Sequence, residues 1–345
     1  MRLVTFSRGR SEPRLGAVLP EIDPTVVVDL NAADRRLPSD MLSFVDACGG
    51  LRGKTWTQAR LVLERARKAA RTRRARYLHS ARAVRLRPPI RPRLLRDFIA
   101  FRAHVARTRE VMGSRVPAEW DAFPAYYNGT HLDVLGPDNA VRVPRFPVAG
   151  GTEPRFVETT KLDYEAEIGY VVGRGGRDVE GAPAARCLFG VTIFNDFSAR
   201  DIQFTVARVG MGPGPGKDFA NALGPCIVTR DEFGTPDENV IQVHVNGKER
   251  FRGKYRELVY RSPHLAPGDR PLWSFPEMIE CISRSQEVRP GEVWGSGTIP
   301  GGCELERGDA AQYLVPGDVV EVGIQGIGTL RNRIAPSRPP PGGKR

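Results

Sequence analysis

The sequence predicts an α+β, β-rich protein: a mixed β-sandwich roll carrying a small N-terminal unit. Three observations predict it. From about Val240 onward, short strand-like runs alternate with turns, as in IQVHVNG, RPGEVWGSGTIPGG and VPGDVVEVGIQGIGTLRNRI, and such a series with few helices argues for a roll or sandwich. In LDYEAEIGYVV the side chains alternate with the period of a strand, so Glu165, Glu167 and Gly169 share one face and Tyr164, Ala166, Ile168 and Tyr170 the other. Near the start, RLVTF, RLGAVL and TVVVDL are three short apolar runs separated by RGRSEP and PEIDP turns.

Taken in order, those first runs predict a small β unit. The stretch from MLSFVDACGG to RYLHSARAV is expected to be helical, and RLRPPIRPRLL reads as an extended, proline-rich linker. The boundary is placed there, giving an N-terminal unit over 1–88 and a main domain over 89–335. SFPEMIECISRS predicts a helix within the second half. The tail 336–345, SRPPPGGKR with its preceding proline, reads as disordered, and no internal repeat is visible.

Composition excludes several classes. The 345 residues, 40% apolar and 27% charged, are enough for one large domain with an appendage. No apolar run approaches the roughly 18–20 residues of a membrane span, and MRLVTFSRGR lacks the apolar centre of a secretory signal. A cytoplasmic protein is expected. Its five cysteines, Cys48, Cys187, Cys226, Cys281 and Cys303, are widely spaced with no CxxC pair, so reduced thiols are expected rather than disulfides or a zinc finger. The net charge is +12, yet residues 51–96 alone hold 16 Lys and Arg against the single acid Glu64. The basic character thus belongs to one arginine-rich helical stretch with an apolar side at Leu61, Leu63 and Ala66, read as a solvated face rather than a polyanion-binding arm.

The chemistry-bearing residues concentrate between Lys161 and Pro225. Two carboxylates side by side on one strand face repel by about 1–3 kcal/mol at intermediate dielectric, a cost that a bound cation reverses. Asp196, closing the apolar run IFND, would supply a third oxygen. Upstream, Asp97 and His104 are seven residues apart, two turns if the segment were helical, although a shared pocket would serve equally. The glycine-rich GMGPGPGKDF lacks the spacing of a phosphate loop.

LDYEAE, NDFSARDIQ, GKDF, LGPCIVT and SGTIPGG, in that order, resemble the signature blocks of the fumarylacetoacetate hydrolase family, with similarity over roughly Leu94 to Ile334. The resemblance implies the fumarylacetoacetase C-terminal type of roll and a homodimer. It implies a metal set of Asp97, Glu165, Glu167 and Asp196, whose oxygens suit Mg²⁺, or Ca²⁺ or Mn²⁺, better than Zn²⁺. It further implies His104 as a catalytic base oriented by Glu304, with Glu306 the fallback. Lys217 beside the metal and Gln203 would receive developing oxyanion charge, while Tyr127, Arg200, Gln203 and Thr298 would contact substrate, Arg200 also helping to anchor the acidic cluster. His131 and Asp201 are left out of the site.

The implied reaction is metal-dependent hydrolysis of a carbon–carbon bond in an acylpyruvate or fumarylacetoacetate-like β-diketone. Two aromatic substrate positions of the fumarylacetoacetases are replaced here by Ile99 and Ala207, so a different pocket is expected. Decarboxylation, hydration or tautomerisation of a 2-oxo acid on the same metal site is the alternative. A non-catalytic polyanion-binding protein is the alternative of another class.

Overall fold

The computed structural model describes residues 1–71, 75–148 and 155–338. Two sheets enclose the main core. The larger runs in the order Leu78–Ser80, Asp23–Asp29, Arg14–Leu19, Arg2–Ser7, Asn221–Thr229, Leu188–Asp196, Ala166–Val172, Val293–Gly295, Leu95–Phe98, Tyr126–Gly129, with Arg85–Arg87 also pairing with Arg2–Ser7. The smaller has the order Lys248–Lys254, Val240–Val245, Val319–Ile324, Gly328–Ala335, Ala140–Arg142. Most pairings are antiparallel, but Val293–Gly295 runs parallel to Leu95–Phe98 and Gly328–Ala335 parallel to Ala140–Arg142, so the architecture is mixed, β-rich α+β.

Apolar side chains from both sheets meet in one layer, with Val191, Ile193, Ala222 and Val228 against Val243, Val322 and Leu330. The opposite face of the large sheet is covered by helices. Met41–Cys48 and Lys54–Ala70 cover Leu3, Leu223 and Ile227, while Phe275–Ser283 covers Phe98 and Trp294. Because both faces are covered, Leu188–Asp196 is buried along nearly its whole length, and its sequence is a continuous apolar run rather than an alternation.

The three N-terminal runs do form strands, and they extend the same sheet that carries the acidic motifs: Arg2 pairs with Val228 and Leu3 with Ile227. The stretch expected to be helical forms the helices Met41–Cys48 and Lys54–Ala70, but its end departs from that expectation, since Leu78–Ser80 is a strand that adds to a sheet edge. Arg85–Arg87, in the stretch read as extended, is a strand paired with Arg2–Ser7. On Lys54–Ala70 the buried face is Trp56, Ala59, Val62, Leu63, Ala66 and Ala70, whereas Leu61 is 48% exposed. The helical period of 3.6 carries Leu61 off that face. Residues 72–74 of the arginine-rich stretch and 339–345 of the tail lie outside the described residues. Among the described residues no helix is long and apolar enough to cross a membrane.

Candidate metal centre

Three strands deliver four carboxylates to one point. Asp97 sits on Leu95–Phe98 in register with Gly295 on one side and Tyr127 on the other. Glu167 lies on Ala166–Val172, with Glu165 just before it, and Asp196 ends Leu188–Asp196, its amide donating to the Glu165 carbonyl at 3.2 Å. One oxygen from each of Asp97, Glu165, Glu167 and Asp196 lies within 4.8 Å of the others, and all four residues are buried. Asp97 is therefore a strand residue, and the helix bearing His104 starts only at Arg102. The turn between the two elements, not a shared helical face, relates them.

So many buried carboxylates need compensation, and two cations give part of it. Lys217 Nζ contacts both Glu165 Oε2 and Asp196 Oδ2, the latter at 2.6 Å. Arg200 donates from Nη1 to Glu165 Oε1 at 2.7 Å and from Nε to Asp163 Oδ2 at 2.9 Å. Burial pushes the Glu165 carboxyl up, but Lys217 and Arg200 outweigh it and hold the group below the usual carboxylate range. Burial likewise opposes the charge of Lys217, yet Asp196 and Glu165 keep its ammonium above the ordinary lysine range. On the far side compensation fails. Burial, then the charge of Asp196, raises Asp97 well above its usual value, and burial with Asp97 and Glu165 does the same to Glu167. Burial raises Asp196 to about 6 against the pull of Lys217.

Asp97 Oδ1, Glu167 Oε1 and Asp196 Oδ1 are buried with no hydrogen-bond partner. Orphaned carboxylate oxygens converging without a donor are costly unless a cation meets them. A set made wholly of oxygens fits a hard divalent ion. Two glycines shape this pocket. A Cβ at Gly295 would lie 2.5 Å from Asp97 Oδ1 and 2.7 Å from Glu167 Oε2, and the amide of Gly297, at φ +80°, donates to Glu167 Oε2 at 3.0 Å.

His104 is buried on the helix Arg102–Val111, and its Nδ1 lies 2.7 Å from Glu306 Oε1. This corrects the expectation for Glu304. In the 3₁₀ segment Leu305–Ala310, with Glu304 at its cap, positions two apart on a three-residue turn point to different sides. Glu304 turns away to accept from Tyr164 Oη at 3.0 Å and from the Gln312 amide at 2.8 Å. Glu306 is fixed by the Gly301 amide on Oε2, and Arg107 Nε donates to its carbonyl at 2.8 Å, binding the helix to the turn.

The other expected residues surround this centre. Tyr127 Oη donates to Asp196 Oδ2 at 2.8 Å. Thr298 is buried in the turn after Gly297. Gln203 is half-buried on Arg200–Ala207 and accepts from Arg200 Nη1 at 3.1 Å. Arg200 is itself fully buried and engaged by Asp163, Glu165 and Gln203, which makes it an anchor of the acidic cluster rather than a group turned to substrate.

Sequence reasoning missed Asp163, although it stands in the LDYEAE block. Its carboxylate accepts from the amides of Tyr164, Glu304 and Leu305 at 2.8–3.0 Å while also holding Arg200. One buried side chain thus ties the turn that carries Glu306 to the arginine that holds Glu165.

Comparison with known proteins gives the family. The fumarylacetoacetate (FAA) hydrolase C-terminal family model matches residues 93–335. The chain is 26% identical over 320 residues to the oxaloacetate tautomerase YisK of Bacillus subtilis, covering 91% of this chain and 94% of that one. It is also 26% identical over 335 residues to the mitochondrial oxaloacetate tautomerase fahd2 of Xenopus laevis, covering 97% and 90%. The crystal structure of maleylpyruvate hydrolase from Sphingobium sp. SYK-6 superposes with a TM-score of 0.63 at 20% identity over 98% of this chain and 100% of that one, a likeness of fold. With a family model matching about two thirds of its length, the chain belongs to the fumarylacetoacetate hydrolase family.

Proposed function

We propose that this protein is a divalent-metal-dependent enzyme that generates and protonates the enolate of a short 2-oxo acid, with keto–enol tautomerisation of an oxaloacetate-like 2-oxo diacid as its reaction. The observation that carries the enolate chemistry is the four-carboxylate set with orphaned oxygens, beside a buried His–Glu pair. Tautomerisation is favoured because two relatives matched over more than nine-tenths of the chain carry the name oxaloacetate tautomerase. When bound, Mg²⁺ or Mn²⁺ would attract the carboxylate and 2-oxo oxygens of substrate and offset the enolate charge.

The chain's own groups account for the proton. Glu306 occupies Nδ1 of His104, which fixes the ring and leaves Nε2 to exchange a proton with substrate carbon or with water. Lys217, held protonated by Glu165 and Asp196, keeps positive charge at the edge of the acidic set where oxyanion character develops. Thr298 and Gln203 are the substrate-side polar groups in this reading, with Tyr127 holding Asp196 in place.

The second reading is hydrolysis of an acylpyruvate or related β-diketone, favoured by the same His104–Glu306 pair, which is built to activate water. Metal-loaded enzyme assayed with oxaloacetate in its enol form and with a panel of acylpyruvates separates the two. Enol–keto conversion without release of a second acid supports tautomerisation; equimolar pyruvate and carboxylic acid from an acylpyruvate would replace it with hydrolysis. In either reaction His104→Ala should lose about 10²–10⁴-fold in turnover while Mg²⁺ binding survives. Wild-type turnover in that variant refutes the role of the imidazole.

A further inference from the structure

Next to the all-oxygen centre lies a second group of ligand-bearing side chains with different chemistry. One ligand atom from each of His104, Cys303 and Glu306 lies within 4.8 Å of the others, and all three residues are buried. His104 Nδ1 is 2.7 Å and Cys303 Sγ 3.8 Å from the same oxygen, Glu306 Oε1. We propose that these three side chains form a second metal site that takes a borderline-soft divalent cation of the Zn²⁺ type, and that filling it removes His104 from proton transfer.

The donor set separates the two sites. Thiolate and imidazole favour Zn²⁺, whereas four carboxylates favour Mg²⁺ or Mn²⁺. From the usual metal–ligand lengths, tetrahedral geometry spaces S, N and O ligands roughly 3.3–3.6 Å apart. The cysteine already stands close to that distance from Glu306, and the imidazole needs to open from the carboxylate by less than about 1 Å. The scaffold keeps the donors together. Cys303 and Glu306 are three residues apart at the start of a 3₁₀ turn, and Arg107 ties that turn to the helix carrying His104. Three protein donors leave a fourth position for water. The side chains of His104 and Glu306 each retain 7% exposure, so neither donor is sealed from solvent.

Filling this site would engage the imidazole lone pair and the carboxylate that orients it. Mg²⁺ in the oxygen set would remain, yet proton transfer would stop. That inhibitory consequence rests on the catalytic reading of His104, whereas occupancy of the site does not.

The test uses the full-length protein saturated with Mg²⁺ and Co²⁺ as the probe, because a thiolate bound to Co²⁺ gives a near-ultraviolet charge-transfer band that oxygen ligands do not. Wild type should develop this band, Zn²⁺ should abolish it, and Cys303→Ser should not develop it. In turnover assays, with inhibition read as a fraction of each protein's own rate without Zn²⁺, Cys303→Ser should need at least tenfold more Zn²⁺ for half-inhibition than wild type. A band in wild type that vanishes in Cys303→Ser, from protein inactive on every 2-oxo acid tried, supports the site and counts against the catalytic reading alone. The proposal is overturned if wild type gives no band, if the band persists in Cys303→Ser, or if raising Mg²⁺ relieves Zn²⁺ inhibition, since the last places Zn²⁺ among the four carboxylates.

Discussion

At Gly295 the requirement is for no side chain at all. Its Cα lies in register with Asp97, and any Cβ would enter the space of both Asp97 Oδ1 and Glu167 Oε2. Strand pairing fixes the backbone on both sides, so the carboxylates must give way. Gly295→Ala is expected to fold but to lose Mg²⁺ affinity by about 10–100-fold, the range typical for disturbing the shell that orients metal ligands. Calorimetry would read this directly, and Mg²⁺ should raise the melting temperature of wild type more than that of the variant. Equal Mg²⁺ affinity in the two proteins would remove Gly295 from the account. Glu165, Glu167 and Asp196 were legible in the sequence because a charge inside an apolar strand has few explanations, whereas Asp97 entered only through the family resemblance and its spacing to His104. Asp163, Gly295 and the choice of Glu306 over Glu304 were not legible: each depends on which way a turn faces or which strand lies alongside, and neither follows from local pattern.

Among the elements, the helix Phe275–Ser283 shows how the site depends on packing behind it. Its buried residues Phe275, Met278, Ile279 and Ile282 lie against Phe98 and Trp294, the neighbours in sequence of Asp97 and Gly295. A capping box starts it: Glu277 Oε2 accepts from the amide and hydroxyl of Ser274 at 2.8 and 2.6 Å, and Arg270 pairs with the same carboxylate. Burial pushes the Glu277 carboxyl up, but Ser274 and Arg270 prevail and lower it. A group depressed on folding contributes stability above its unfolded value near about 4.3, and the contribution is lost as pH falls through the folded value. Glu277→Ala should therefore cost about 1 kcal/mol at pH 7. In denaturant titrations the gap from wild type should narrow below about pH 4; a gap independent of pH would show that packing, not the charge, carries the effect. Helix and strand identity was readable where periodicity ran long, as in SFPEMIECISRS and LDYEAEIGYVV. It failed at Leu78–Ser80, a three-residue strand that exists only because a sheet edge is there to accept it.

Across the whole molecule, one hairpin lacks a sheet to support it. Among the described residues, Arg145–Val148 and Arg155–Glu158 pair only with each other. A lone two-stranded hairpin is marginal in water without something to pack on. Phe156 on that hairpin is 52% exposed and Leu132, across a shared cleft of about 1460 Å³, is 78% exposed. Arg87, Arg91, Arg142 and Arg145 surround these two apolar side chains, which gives an apolar centre with a polar rim of the kind protein interfaces use. A second copy of the chain is the occupant expected from the homodimer that the family resemblance implies. Sedimentation at micromolar concentration should then give twice the chain mass. Leu132→Asp combined with Phe156→Asp should shift the protein to the monomer with its Mg²⁺ affinity intact, since neither residue is among the four carboxylates or the cations that hold them. A wild type that sediments as a monomer, or a double variant that remains a dimer, would mean that this face is not where copies meet.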